Sequence, residues 1–166
     1  MSERADALAR RIEEGAAQLA ALAEHLTDTE WATPVLPDGR TAGVIVHHVA
    51  SVYPIEVELA EQIGAGRDVD GVTWRVIADM NANHAHEHAG VSRADALALL
   101  KRNSRAAAEA VRRLTDDQLD RATRVSLYAN APVTAQFFIE DHALRHSWHH
   151  FARISTALGR SVPQAA

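Results

Sequence analysis

The segment from Asp141 to Ile154, near the C-terminal end, places the strongest constraint on the fold and chemistry of this chain. At about 100° per residue it reads as an amphipathic helix with histidines along one edge of an apolar face. That face consists of Leu144, Trp148, Phe151, Ile154 and Leu158, and the edge of His142, His146 and His150. Two histidines four residues apart lie roughly 5–6 Å from each other on a helix surface and can bind one metal ion together. The segment therefore predicts a metal-binding helix that needs a further ligand from elsewhere.

Composition predicts an all-α protein. Hydrophobic residues make up 47% of the 166 residues, with many Ala and Leu and only 5% aromatics, which favours helices over strands. This length suits one domain, predicted over residues 1–166. The net charge of −5 is modest, and no face collects Lys and Arg, so nucleic-acid binding is not expected.

Cysteine is absent, so a metal site must use imidazole or carboxylate ligands, and a reactive thiol must come from outside the chain. The N-terminal residues lack the apolar run of a signal peptide. No segment has 18 consecutive apolar residues, so membrane insertion is not expected. We therefore expect a cytoplasmic protein.

The apolar periodicity predicts a four-helix bundle with one additional short helix. Capping residues and breakers bound the predicted helices, which run from Ser2 to about Leu26, Thr41 to about Gly64, Thr73 to Ala89, Ser92 to Leu114 and Thr134 to Leu158. Irregular loops are expected around residues 34–39 and a flexible linker over residues 65–71. Pro54 should kink the second long helix or end it.

The two halves of the chain resemble each other. Leu26 to Glu30 (LTDTE) and Leu114 to Gln118 (LTDDQ) have the same pattern, and each is followed by a loop and a Thr-Ala helix start. This indicates two helical hairpins packed together, although a match this short also arises by chance.

Histidine is the unusual residue, with ten copies. On the second long helix His48 falls within the apolar stripe, whereas His47 is turned about 100° away. His48 with His146 and His150 would supply three imidazole ligands for a divalent ion, in the manner of bundles that bind metals between facing helices. The alternative is that these are bundle histidines satisfied by hydrogen bonds.

Three further polar residues are candidates for binding a cofactor or ligand: Asn81, His84 and His142. His142 continues the histidine edge by one turn, while Asn81 and His84 share a face of the short helix with His88. For His84 and His88, a polar lining or a surface patch is favoured over metal ligation. His86 and His149 are predicted to point away to solvent, and no catalytic residue can be assigned.

His47-His48-Val49-Ala50, on a helix that begins at Thr41, resembles the first histidine motif of the DinB-like superfamily. His146 to Ile154 resembles its His-x-x-x-His-x-x-Gln-Ile ending, with Arg153 where many members have Gln. Residues 80–100 are also similar, so the likeness spans most of the chain. It implies a divalent-metal-binding four-helix bundle, often dimeric and bacterial, with His48, His146 and His150 as ligands.

The resemblance also implies functions. Some members are transferases or isomerases that depend on a low-molecular-weight thiol such as mycothiol, including mycothiol-dependent maleylpyruvate isomerase. We therefore expect a divalent ion (Zn, Ni, Fe or Mn) and a small electrophilic substrate. Metal-dependent hydrolysis, a non-catalytic bundle that binds metal or a small molecule, and metal buffering by the histidine clusters are the alternatives.

Overall fold

In a computed structural model, which describes residues 2–161, helices pack into a four-helix bundle; the ends of the predicted domain lie outside that range. The long helices are α1 (Glu3–Glu24), α3 (Ala42–Gly64), α5 (Arg93–Arg112) and a last helix in three parts. The parts of that last helix are α7 (Ala135–Ile139), a π-helical turn (Glu140–Leu144) and α8 (Arg145–Ala157). Shorter helices are α2 (Asp28–Trp31), α4 (Trp74–Glu87) and α6 (Asp116–Asp120). The predicted all-α bundle is confirmed.

Local capping explains where most helices begin. Six residues at expected helix starts act as N-caps, and the side chain of each accepts a hydrogen bond from a backbone N–H of the first turn. They are Ser2, Thr27, Thr41, Thr73, Ser92 and Thr134. Such bonds satisfy donors that the helix itself leaves unpaired. Thr115 also caps α6, and Thr27 and Thr115 both form full capping boxes, with Glu30 and Gln118.

The expectation of irregular loops was wrong at two places, where short antiparallel hairpins form instead. The first pairs β1 (Pro34–Val35) with β2 (Arg40–Thr41), and the second pairs β3 (Ala122–Val125) with β4 (Ala131–Thr134). Each hairpin follows a capping-box helix and leads into a Thr-capped helix. The predicted resemblance between the two halves thus extends to their order of elements.

The predicted flexible linker over residues 65–71 is also tied down. Val69 is buried, bridges Val125 of β3, and exchanges backbone hydrogen bonds with Arg124 and Ser126. Asp68 forms an ion pair with Arg124 at 2.7 Å. A run of Gly, Arg and Asp suggested flexibility, but these long-range contacts hold the segment against the second hairpin.

The core lies between α1, α3, α5 and the last helix. Its largest fully buried side chains include Ile12, Leu19, Ile45, Tyr53 and Phe138. Pro54 lies within α3 without ending it. By contrast, none of the residues of α4 is buried, so this helix lies on the outside of the bundle. Among the described residues, no helix combines the length and apolar character needed to cross a membrane.

One predicted face of the last helix differs in the structure. A π-helical turn interrupts this helix at Glu140–Leu144. In the regular α8 that follows, Trp148 lies at the edge of the buried face and is 38% exposed rather than part of the core. Ser147 is fully buried in its place and hydrogen-bonds the Tyr53 hydroxyl. Gly15 of α1 admits the Trp148 indole, because a Cβ at that position would lie 2.9 Å from its Nε1.

Candidate metal centre

His48 of α3 meets His146 and His150 of α8 in the interior of the bundle. Each ring offers one nitrogen to a cluster whose members all lie within 4.8 Å of one another, and the Nε2 atoms of His48 and His146 are 3.2 Å apart. Two nitrogens bound at 2.0–2.1 Å to one tetrahedral ion would be about 3.3 Å apart. The structure therefore brings together the three predicted ligands with a spacing that suits a metal ion.

Burial keeps the imidazoles of His48 and His150 neutral. His48 and His150 are each only 4% exposed, and desolvation, aided by the nearby His146, lowers the pKa of His48 to about 2. The same causes lower the pKa of His150 well below its usual range. Neutral imidazole is the form that binds metals.

Glu56 lies on α3, eight residues after His48, and supports the cluster. It was not identified from the sequence. It is 7% exposed, and its Oε1 accepts a hydrogen bond from His146 Nδ1 at 2.6 Å. Donation from Nδ1 leaves the lone pair of His146 on Nε2, which faces His48. A carboxylate that orients a ligating histidine is typical of metal centres. A carboxylate eight residues after His48, within the apolar stripe, was the available signal.

Two buried polar atoms at this cluster have no hydrogen-bond partner among the described residues: Glu56 Oε2 and His150 Nδ1. Burying polar groups without partners is unfavourable. A divalent cation among the three rings would compensate the buried carboxylate charge and use the imidazole lone pairs. The donor set, its spacing and these unpaired atoms all fit such an ion.

A cavity of about 480 Å³ lies beside the cluster. Its apolar wall comes mainly from α3 and α4, and its polar residues include three arginines. The lining comprises Arg40, His48, Val52, Ile55, Glu56, Leu59, Val72, Trp74, Val76, Ile77, Met80, Asn81, Leu127, Phe138, Asp141, His142, Arg145, His146, His149, His150 and Arg153. This volume suits a small-molecule ligand.

Of the predicted ligand-binding residues, Asn81 and His142 line this cavity, whereas His84 does not. His142 lies in the π-helical turn, stacks on Phe138, and contacts the Tyr128 hydroxyl through Nε2 at 3.0 Å. Burial lowers the pKa of His142. His149, predicted to be a surface residue, is exposed but borders the cavity as well.

His84 belongs to a second cluster, with His47 and His88, that the sequence did not reveal. The candidate ligand atoms of these three rings also lie within 4.8 Å of one another. His47 Nδ1 and His84 Nε2 are 2.9 Å apart. Burial, with His47 and His88 close by, lowers the pKa of His84 to about 4.

Arg40 carries positive charge close to the first cluster. Its Nε and NH2 groups donate to Asp38 Oδ2 at 3.2 and 2.8 Å, while its NH1 is buried without a partner among the described residues. Its charge contributes to the lowered pKa of both His48 and His150. Arg153, which stands where the similar motif often has Gln, donates to the Leu36 carbonyl at 2.7 Å. This bond holds the first hairpin against α8.

Two solved structures share this fold. YfiT from Bacillus subtilis, described as a probable metal-dependent hydrolase with an unusual four-helix bundle topology, is 22% identical over 97% of this chain and 91% of its own, with a TM-score of 0.73. The mycothiol-dependent maleylpyruvate isomerase is 13% identical over 93% of this chain, with a TM-score of 0.69. This chain spans only 63% of the isomerase chain. At these identities the likeness establishes the fold alone.

No curated protein matches the sequence significantly. The sequence profile of the DinB superfamily, however, matches residues 11–154. That range includes α3 and α8 with His48, His146 and His150. The chain is a member of the DinB superfamily.

Proposed function

We propose that this protein is a metal-dependent enzyme that works with an external low-molecular-weight thiol. It either transfers the thiol to a small electrophilic molecule or uses the thiol to isomerise that molecule. One observation carries the proposal: the three imidazoles of His48, His146 and His150 border a cavity large enough for small molecules. A divalent cation held by these residues would act as a Lewis acid and lower the pKa of a thiol or water. Imidazole ligands suit Zn, Ni and Fe, and Mn less well.

The protein's own residues would prepare this site for chemistry. Glu56 fixes the ring of His146 through its Nδ1–H, which keeps Nε2 directed at the centre. The apolar wall from α3 and α4 would exclude water from the reacting groups. These contributions favour a reaction of a bound small molecule over simple storage of the metal.

Any thiol in the reaction would come from outside the chain, because the chain has no cysteine. A structural relative with the same fold is a mycothiol-dependent isomerase, and mycothiol is our first candidate for this chain as well. Arg145 at the cavity pairs with Asp141, whereas Arg40 and Arg153 share the single carboxylate of Asp38. The positive charge that this sharing leaves unbalanced favours a substrate that carries a carboxylate beside an apolar body.

The test measures conjugation or isomerisation by metal-loaded protein with mycothiol, bacillithiol or glutathione and a panel of small electrophiles that includes unsaturated keto acids. We expect acceleration with at least one thiol and a loss of at least about 100-fold in His146→Ala, because even outer-shell changes at metal centres cost 10–100-fold. His86→Ala is the matched control, since His86 is exposed on α4. Equal rates with wild type, His146→Ala and no protein would contradict the proposal.

A metal-dependent hydrolase is the second candidate, and His142 is the observation that favours it. The Tyr128 hydroxyl donates to Asp141 Oδ2 at 2.6 Å, so its oxygen accepts from His142 Nε2. The basic nitrogen of a neutral His142 is then Nδ1, which could accept a proton from water. Ester or amide hydrolysis without any thiol, reduced in His142→Gln, would support this candidate over the first.

A non-catalytic binding module is the remaining alternative. It predicts retention of a small molecule with no turnover under any of these conditions, which mass spectrometry of the purified protein would detect.

Homodimerisation, which the family resemblance implies, and a cytoplasmic location, expected from the absence of a signal-peptide pattern and of a long apolar segment, also remain predictions. Light scattering coupled to size exclusion would check the first, with a mass near 36 kDa, twice the 18.0 kDa of one chain, as the expected result. Fractionation of the source cells would check the second.

A further inference from the structure

Two adjacent histidines on α3 serve two different clusters. His47 and His48 project about 100° apart around the helix. His48 meets the His146/His150 pair of α8, whereas His47 meets the His84/His88 pair of α4. Each pair has the i, i+4 spacing at which two imidazoles can converge on one ion. The same arrangement of one histidine plus a spaced pair therefore occurs twice, on neighbouring faces of α3.

The second cluster is packed closely. The ring centroids of His47 and His88 are 4.1 Å apart, and those of His84 and His88 are 4.6 Å apart. All three residues are partly buried against the bundle surface. The candidate ligand atoms lie within 4.8 Å of one another, as in the first cluster.

Hydrogen bonding does not account for this packing. Three neutral imidazoles carry three N–H donors and three acceptor nitrogens. Within residues 2–161 these rings form one side-chain hydrogen bond, between His47 Nδ1 and His84 Nε2. His84 Nδ1 is buried with no partner in that same range. Imidazole nitrogens gathered this closely, with a single hydrogen bond among them, form a ligand set that suits a transition-metal cation.

We propose that His47, His84 and His88 form a second metal site, for a divalent cation such as Zn²⁺, that fastens α4 to α3. This site is separate from the proposed catalytic centre and does not rest on it. Its role is structural, because its residues do not line the cavity.

The position of α4 means that an ion at this site would affect the cavity. None of the residues of α4 is buried, so this helix has few apolar contacts to hold it in place. Yet Trp74, Ile77, Met80 and Asn81 of α4 form one wall of the cavity. An ion bound at the C-terminal end of α4 would order that wall and so shape the substrate site.

His88→Ala is the cleanest variant for a test. The ring of His88 packs against His47 and His84, whereas His84 also lies edge-on to His48 of the first cluster at 5.5 Å. His86→Ala is the matched control, because His86 is an exposed histidine on the same helix two residues away. His146→Ala removes a ligand from the first cluster only.

Native mass spectrometry of tag-free protein titrated with Zn²⁺ counts the bound ions. We expect two ions in wild type and His86→Ala, and one in His88→Ala and in His146→Ala. Equal ion counts in wild type and His88→Ala, or the same loss in His86→Ala, would overturn the proposal.

Hydrogen exchange of residues 74–87 provides a readout that does not depend on activity. At free Zn²⁺ ten times the dissociation constant, exchange by local opening should slow about tenfold, as mass action requires. The slowing should occur in wild type and His146→Ala but not in His88→Ala. Exchange in α4 that is indifferent to Zn²⁺ in wild type would also overturn the proposal.

The two sites fail independently in these experiments. One ion that is lost in His88→Ala and kept in His146→Ala would support the second site and contradict the catalytic centre. One ion with the opposite dependence would contradict the second site and leave the proposed function intact.

Discussion

Glu56 shows how a single residue can set the chemistry of a neighbour without binding the ion itself. Its carboxylate holds His146 by a 2.6 Å hydrogen bond to Nδ1. The bond determines which nitrogen of His146 carries the proton and which way the ring faces. Removing the charge while keeping an acceptor in place separates the electrostatic contribution of Glu56 from its geometric one.

Glu56→Gln should lower the affinity for Zn²⁺ at the first cluster by about 10- to 100-fold, the usual effect of changing an outer-shell partner. The amide oxygen still accepts from His146 Nδ1, so the ring orientation survives while the negative charge is lost. Competition titration with a chelating dye in the His88→Ala background would measure this affinity alone. Glu58→Gln is the control, because Glu58 is exposed on the same helix. Equal affinities in both variants would show that the charge of Glu56 is irrelevant.

At the scale of elements, each half of the chain repeats one order: a long helix, a capping-box helix, a two-stranded hairpin and a Thr-capped helix. Each hairpin ends directly before the helix that follows it, α3 or α7. In the first half, the Trp31 indole of α2 packs on Gly43 at the start of α3, where a Cβ would overlap the indole. The Trp31 Nε1 also donates to the Val91 carbonyl, just before α5.

Gly43→Ala should therefore destabilise the protein by about 1–3 kcal/mol, the usual range for overpacking. Alanine is the better helix former by up to about 1 kcal/mol, but the displaced indole would lose its packing and its hydrogen bond. Urea denaturation followed by circular dichroism would measure the change.

Gly90→Ala is the matched control for this prediction. A Cβ at Gly90 meets no atom within 4 Å, so stability should change little. Equal free energies of unfolding for the two variants would mean that the Trp31 indole can move away from residue 43 without destabilising the protein.

At the scale of the whole molecule, the buried histidines make stability depend on pH. The pKa values of His48 and His150 are lowered by burial and by their neighbouring rings, whereas in the unfolded chain a histidine titrates near 6.5. Below that pH the unfolded state binds more protons than the folded state, so folding stability falls as the pH falls. The loss begins near pH 6.5 and continues down towards the pKa of the folded state.

Metal-free protein should therefore lose about 1 kcal/mol of stability for each of these two histidines between pH 7 and 5.5. Urea denaturation in the presence of a chelator at a series of pH values would measure the slope. His48→Gln should flatten it, whereas His86→Gln, at an exposed position, should leave it unchanged. A slope that is the same in all three proteins would assign the pH dependence to other groups.

Features that depend on local interactions follow from the sequence. Caps such as Thr41 and Thr134 bond to residues three positions away, and apolar periodicity marks the buried face of each long helix. The fold class, the helix starts and the inward position of His48 could therefore be predicted. Trp148 was expected in the core, but it lies at the edge of the buried face of α8, which is centred on Ser147, His150 and Ile154.

Contacts between residues that are distant in the chain depend on the tertiary structure. The sequence grouped His48 with His146 and His150, but it did not pair Glu56 with His146, 90 residues away, or His47 with His84, 37 residues away. No local pattern encodes these two pairs, because they depend on how α4 and α8 pack on neighbouring faces of α3. That packing assigns His48 to the proposed catalytic centre and His47, its neighbour in sequence, to the second cluster.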